Sequence, residues 1–333
     1  MTAANSSVAR PGLSVVQEPV AARLQEVKQE LRRIVEAELP LMAEVNAHLM
    51  QMQGKMFRPT LVLLANGATG GGDVPRVTTL AAVIELVHVA TLVHDDAVDH
   101  SVLRRGMPTV NSLFSHQISV IMGDYLYSRS IIELVGLDDL EPLRVLSRVT
   151  NEMTVGEMRQ LLAHDRLQFG EEQYDLLIRS KTASLIAGAC EVGALRAPPA
   201  ERAALGRFGM ALGMAFQVVD DLLDYTEDAT VTGKPSGLDL REHKVTLPLI
   251  AALPRMSEGE RQMVTQLMQA PEPTEAQIGE VVAAVIRAGG IEYARTRALE
   301  LAQEAEVELE VLRPSPAREA LRASIAYVVG RRR

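Results

Sequence analysis

Tryptophan is absent from this sequence and cysteine occurs once, as Cys190. A lone cysteine cannot close an internal disulfide, so packing must hold the fold, as suits a reducing cytoplasm. Aromatic residues make up only 3%, and the chain is rich in Ala, Leu, Val, Glu and Arg, a mixture that favours helices over sheets. Positive charge is also in short supply: 34 Lys and Arg face 43 Asp and Glu, for a net charge of -9. A general nucleic-acid binder needs a basic surface to displace counterions, so that class is excluded. Small anionic substrates are not excluded, because local cations and metal ions decide their binding. The start of the sequence has no basic stretch followed by an apolar run, so no secretory signal is expected. The longest apolar stretch, residues 79–93, is interrupted by Glu85 and His88 and reads as too short to cross a bilayer. The expectation is a soluble cytoplasmic protein.

What is present is ample core material, with 47% hydrophobic residues in 333. Residues 1–18, small and polar with Pro11 and Gly12, read as a loose tail. From 19 to 333 the chain reads as one all-α domain. Segments of roughly 15–25 residues carry apolar positions at spacings of three and four, the mark of helices packed on one face. They are separated by breaks at 67–75, 136–142, 196–199, 229–238, 254–259, 270–273 and Gly289-Gly290. No stretch alternates as a half-buried strand would. Thr69-Gly70-Gly71-Gly72 resembles a phosphate loop superficially, but lacks the Gly-Lys-Ser/Thr ending and a βαβ setting, and reads as a connector. There is no repeat of 20–50 residues and no composition shift that would mark a domain boundary.

Two clusters carry the chemistry: Asp95-Asp96-Ala97-Val98-Asp99 and Asp220-Asp221-Leu222-Leu223-Asp224. Residues four apart share one helical face, so Asp95 pairs with Asp99 and Asp220 with Asp224. Each cluster ends an apolar helical segment, 81–99 and 206–224. The helix dipole is negative there, so a cation must offset the repulsion. A solvated acidic patch is the plainer reading of one such cluster. With Asp at about 6% of residues, however, a match is expected about 0.07 times in a chain of this length, and here there are two. All-oxygen ligands select a hard ion, Mg2+ or else Mn2+. Mg2+ takes one or two carboxylates, waters and substrate phosphate oxygens, so facing carboxylate walls suggest a diphosphate between them. His94 and His100 read as neighbours of the first cluster rather than ligands.

Basic residues accompany the acids: Lys55 and Arg58 before the first cluster, Arg104 and Arg105 after it, then Lys181, Lys234 and Lys244. Each alone reads as a solvated surface charge. Together they supply what a pair of diphosphates would need, Arg as a fork and Lys as a point charge. Gln217 lies three and seven residues before Asp220 and Asp224, and His88 seven before Asp95, so both face the same cavity.

In this order the residues resemble the trans-isoprenyl diphosphate synthases, also called polyprenyl synthetases. The resemblance runs from about Gly54 to Lys244 on Gly54-Lys55-x-x-Arg58-Pro59, His88, the first cluster with Leu92-Val93-His94, Arg104-Arg105-Gly106, Gly123-Asp124-Tyr125-Leu126, Gly156-Glu157-x-x-Gln160, Lys181-Thr182-Ala183, Phe216-Gln217 with the second cluster, Gly233-Lys234, Gly237-x-Asp239 and Lys244-x-Thr246. Two departures, Gln53 before Gly54 and His243 before Lys244, remove no ligand.

The resemblance implies a large helical bundle of the isoprenoid synthase type around a deep central cavity, commonly homodimeric. It implies an allylic diphosphate held through Mg2+, three ions with substrate bound, on Asp95, Asp99 and Asp220, with Arg104, Lys181, Thr182, Gln217 and Lys234 assisting. Asp96, Asp221 and Asp224 are expected to act partly through metal-bound water, and Lys244 to help bind substrate. Isopentenyl diphosphate would lie on Lys55, Arg58, His88 and Arg105. Closure of residues 229–243 over the site is a further expectation. In this family the residue five before the first aspartate floors the product tunnel; here it is Ala90, with Val87 a turn deeper and Met122 facing from the 118–134 segment. Small residues there imply a long product, about C35–C50, whose release could involve transient membrane contact. The rivals are a synthase of farnesyl or geranylgeranyl length and a noncatalytic partner subunit. A class I terpene cyclase fits less well, because its second metal site is usually an Asn/Ser/Glu pattern.

Overall fold

Helix ends fall where the sequence carries its punctuation. Ser115, Thr274 and Ser315 each cap a helix N-terminus through the side-chain oxygen, and Ser257 does so within a reciprocal capping box with Glu260. The computed structural model describes residues 12–52, 54–162, 166–226 and 237–331. The chain begins with α1 (Leu13–Gln17), a 3-10 turn (Glu18–Val20), α2 (Ala21–Ile34), α3 (Pro40–Gln51), α4 (Phe57–Ala68) and α5 (Val74–Val98). A hairpin of β1 (Leu103–Arg104) and β2 (Met107–Pro108) leads to α6 (Val110–Leu113), α7 (His116–Gly136) and α8 (Leu140–Leu162). Then come α9 (Glu171–Ile178), a π-turn (Arg179–Ala183), α10 (Ser184–Gly193) and α11 (Pro199–Thr226). The remaining helices are α12 (Leu238–Arg241), α13 (Leu247–Ala252), α14 (Glu258–Gln269), α15 (Glu275–Arg287), α16 (Gly290–Glu308) and α17 (Pro316–Gly330).

Helix α5 is the axis of the molecule, packed by α2, α4, α7 and α10. It corrects the reading of 79–93 as too short to span a bilayer. The helix runs 25 residues, and a window of mean hydropathy 1.7 makes it long and apolar enough to cross. That window is 67% buried inside the protein, the signature of a core helix. Glu85 and His88 break the apolar run without ending the helix, because a buried side chain can find partners inside. Helix α11 lies between α10 and α16. It approaches the preceding segment closely: a Cβ on Gly213 would sit 2.6 Å from the Ala183 Cα.

Two other expectations change. Residues 13–18, expected to belong to a loose tail, are helical. Val16 is fully buried in α1, which packs on α17, and Gln17 donates to the Lys55 carbonyl at 2.8 Å. Leu13, Val16 and Val20 at helical spacing carry that packing. Residues 1–11 lie outside the described residues. The all-helical reading also misses the short hairpin, paired Leu103 to Pro108 and Arg104 to Met107. Its turn residues Arg105 and Gly106 both have positive φ, 52° and 76°, the geometry that suits a tight two-residue turn.

Candidate active site

The C-terminal ends of α5 and α11 converge on one cavity of about 970 Å³. Both acid clusters end long apolar helices, as their spacing predicts. Asp95 and Asp99 line one wall and Asp220 lines another. Burial pushes the Asp95 carboxyl up to about 6, although Lys181 pulls it down. Among the described residues no hydrogen-bond donor or ion pair holds either Asp95 or Asp99.

The other three acids turn away from the cavity into protein partners. Asp96 is buried and receives the Arg104 Nε on both oxygens, at 2.9 and 2.8 Å. Asp221 accepts from the Tyr174 hydroxyl at 2.6 Å and from the Gln217 Nε2 at 2.8 Å. Burial raises the Asp221 carboxyl well above the usual carboxylate range. Asp224 caps α12, accepting from the backbone N–H of Leu238 at 3.2 Å and of Asp239 at 3.0 Å. In this structure these three acids thus make direct protein contacts. Asp220 itself is met by Arg331 at 2.8 Å, and that guanidinium also lies 3.7 Å over the Phe216 ring.

Cations ring the cavity. The hairpin presents Arg104 and Arg105, and the Arg105 Nη1 donates to the Met52 carbonyl at 2.8 Å. Gly54 leaves room for it, since a Cβ there would lie 2.6 Å from the guanidinium as it stands. Arg58 and His88 line the same end. Burial, then Arg58, Arg105 and Arg104, hold His88 well below its ordinary value, so it is neutral near pH 7. Buried Glu85 lies in the field of Arg58 and Arg105, and burial keeps its carboxyl above the ordinary range.

Lys181 sits in the π-turn, 2.5 Å from Glu157 and 3.2 Å from the Gln160 Oε1. Such turns recur at functional sites because the extra residue re-aims a side chain. The neighbouring Thr182 donates to the Gln217 Oε1 at 2.9 Å. A chain of hydrogen bonds thus runs Thr182, Gln217, Asp221, Tyr174. Lys244 reaches the cavity 2.6 Å from Glu242; burial opposes its charge, but Glu242 and Asp239 hold it above its ordinary value. Lys55 is exposed and does not line the cavity. Lys234, with most of the 229–243 segment, lies outside the described residues.

Ala90 and Val87 line the cavity as expected, but Met122 does not; it is buried against the core with Ser119 and Leu126. The 118–134 segment presents Asp124 and Tyr127 to the cavity instead. Sequence reasoning also missed the wall supplied by α8, with Ser147, Thr150, Asn151 and Thr154. Tyr174 and Arg331 carried no local signal at all, since each reaches the second cluster from a distant helix. His94, whose Nε2 meets the Val120 carbonyl at 3.1 Å, is occupied as a neighbour should be. Gly123 makes room for that ring: a Cβ there would fall 2.2 Å from it.

A hard divalent cation fits these residues. The donors are carboxylate oxygens, and Asp95 is a half-buried acid without an ion pair among the described residues. Among the described residues no three Asp, Glu, His or Cys side chains form a ready-made cage. That suits an ion that completes its shell with water and substrate phosphate oxygens.

The profile described as Polyprenyl synthetase matches residues 39–285. The chain belongs to the polyprenyl synthetase family. An all-trans-nonaprenyl-diphosphate synthase (geranyl-diphosphate specific) of Rhodobacter capsulatus is 40% identical over 304 residues, 91% of this chain and 93% of the relative. The octaprenyl diphosphate synthase of Escherichia coli (strain K12) is 35% identical over 311 residues, 93% of this chain and 96% of that one. A solved polyprenyl synthase from Caulobacter crescentus CB15, complexed with calcium and isoprenyl diphosphate, superposes with a TM-score of 0.91 at 31% identity, covering 97% of this chain and 99% of the other. The helical bundle described above is thus the fold of this polyprenyl synthetase.

Proposed function

We propose that this protein condenses isopentenyl diphosphate repeatedly with an allylic diphosphate primer, making a trans-polyprenyl diphosphate of about C35–C50. The observation that carries the reading is the one cavity that gathers Asp95, Asp99 and Asp220 with Arg58, Arg104, Arg105 and Lys181. The octaprenyl and nonaprenyl names of the relatives support the long product.

In this reading one catalytic domain binds both substrates. The allylic diphosphate lies between Asp95 and Asp99 on one side and Asp220 on the other, with Lys181, Thr182, Gln217 and Lys244 around it; Lys234 belongs to the same set. Isopentenyl diphosphate lies at the Arg58, His88 and Arg105 end, with Lys55 following Gly54 beside it. Mg2+, when bound on Asp95, Asp99 and Asp220, supplies positive charge for the departing diphosphate; three ions, or Mn2+ in their place, belong to this reading. Asp96 orients Arg104, and Asp221 orients Gln217. The C–O bond of the primer breaks, the isopentenyl double bond forms the new C–C bond, and a proton passes to the released diphosphate. The apolar helices keep water from the cationic carbon, and neutral His88 adds no charge beside it.

A homodimer is part of the proposal. Helix α7 leaves Ile121, Ile132 and Val135 exposed at 61%, 55% and 62%, on one stripe at helical spacing. A cytoplasmic enzyme whose apolar product departs at a membrane surface completes it.

The test is incubation of the purified chain with labelled isopentenyl diphosphate, an allylic primer and Mg2+, followed by sizing of the product. Products of seven to ten C5 units are expected. Elongation that stops at C20 would replace this reading with a geranylgeranyl-length synthase. No incorporation would make the chain a partner subunit.

A further inference from the structure

Depth in the cavity can be counted along three helices. On α5 the deepest lining residue is Val87, eight residues from Asp95 and so about 12 Å below it. Helix α7 runs antiparallel to α5. Val120 meets His94, while Glu133 joins Thr79 through Arg33 and Glu30. Tyr127, midway between, stands at the level of Val87. On α8, Glu157 marks the mouth through its pairing with Lys181, Thr150 lies seven residues, about 10 Å, deeper, and Ser147 lines the cavity about one turn below it. Tyr127 and Thr150 both line the cavity, and their hydroxyl oxygens are 3.2 Å apart. The Thr150 proton is committed to the Leu146 carbonyl at 2.9 Å, so Tyr127 is the donor.

The smallness of Ala90 therefore opens the upper wall only. An extended chain advances about 1.2 Å per backbone bond, so a C5 unit with four such bonds spans about 5 Å, and 12 Å holds two to three units. A longer product has to pass the tied ring. We propose that Tyr127, fastened by Thr150 about 12 Å below the level of Asp95, is a gate that the growing prenyl chain must displace to extend beyond about two to three C5 units. This rests on the elongation reading above.

The experiment sizes the products of the purified full-length chain and its variants with labelled isopentenyl diphosphate, primer and Mg2+. Tyr127→Ala is expected to shift the distribution longer by one or more C5 units and to deplete intermediates of two to three units at limiting isopentenyl diphosphate. Thr150→Val keeps the side-chain outline, removes the acceptor, and is expected to act in the same direction more weakly. It serves as the second variant where Tyr127→Ala fails to fold. In an Ala90→Tyr background, where the chain is stopped higher up, Tyr127→Ala is expected to change nothing. Normal incorporation with unchanged product length in both Tyr127→Ala and Thr150→Val would overturn the gate alone. No incorporation by the wild-type chain would overturn the elongation reading and the gate with it.

Discussion

The two aspartate clusters have one pattern and two structures. In the first, Asp95 and Asp99 face the cavity and only Asp96 is spent on the protein, anchoring Arg104. In the second, only Asp220 faces the cavity; Asp221 anchors Tyr174 and Gln217, and Asp224 starts α12. Identical spacing fixes which residues share a helical face. It does not fix what comes to meet that face. The first cluster ends at an open hairpin, so its acids remain available. The second is surrounded by α9, α12 and the end of α17, and these claim most of its oxygens.

The largest expected effect is on the available acids. Asp95→Asn should lower kcat/KM by about 10²–10³-fold or more, the scale for losing one organised electrostatic element, while apo stability holds or rises because a half-buried, unpaired charge has gone. Steady-state kinetics and a thermal melt on the same preparation check both halves. Next is Asp96→Asn, which weakens the anchor of Arg104 without removing a cavity carboxylate. A fall of about 10–100-fold, the scale for groups that orient a metal site, should appear in the Mg2+ dependence as well as in rate. Equal losses for Asp95→Asn and Asp96→Asn would erase the distinction drawn within the first cluster.

Asp224→Ala is expected to behave in the opposite sense to Asp95→Asn. It removes an acceptor from two backbone N–H groups, a loss of about 1–2 kcal/mol on the scale of helix caps. Urea unfolding should report that loss. Full stability in this variant would mean that the second cluster is not the structural one. The smallest effect is on pH. Asp95 titrates from 3.8 in an unfolded chain to about 6 in the fold, so the folded state holds this proton longer. Raising the pH through that window withdraws stability from the wild type and not from Asp95→Asn. The difference between their melting temperatures should open from pH 4, level off above about 6, and shrink when Mg2+ and a diphosphate are added.

Much of this was legible in the chain itself. The ends of α5 and α11, the placement of Asp95, Asp99 and Asp220, and the gathering of Arg58, His88, Arg104, Arg105, Lys181, Gln217 and Lys244 follow from helical spacing and from the family resemblance. What escaped was long-range or sub-helical. Arg331, just past α17, and Tyr174, in α9, reach Asp220 and Asp221 from 111 and 47 residues away in sequence, a separation that no local pattern encodes. The π-turn at Lys181 changes a side chain's heading without changing composition. Met122 packs on the core with the apolar side of α7, and the Tyr127 side of that helix lines the cavity, a division that helical spacing alone does not fix. The hairpin had a usable signal in Arg105-Gly106, overlooked because each strand is two residues long.

Helix α5 also has a history during synthesis. It is apolar enough to enter a bilayer, and it leaves the ribosome before α7 and α10, two of the helices that cover it. At about 5–20 residues per second, α10 follows roughly 5–20 s later. Through that interval the nascent chain displays a segment that insertion machinery and aggregation partners would both accept. Only α2 and α4 are then available to shield it. The helix that organises the finished active site is thus, among the described residues, the one that a bilayer could compete for before the fold covers it.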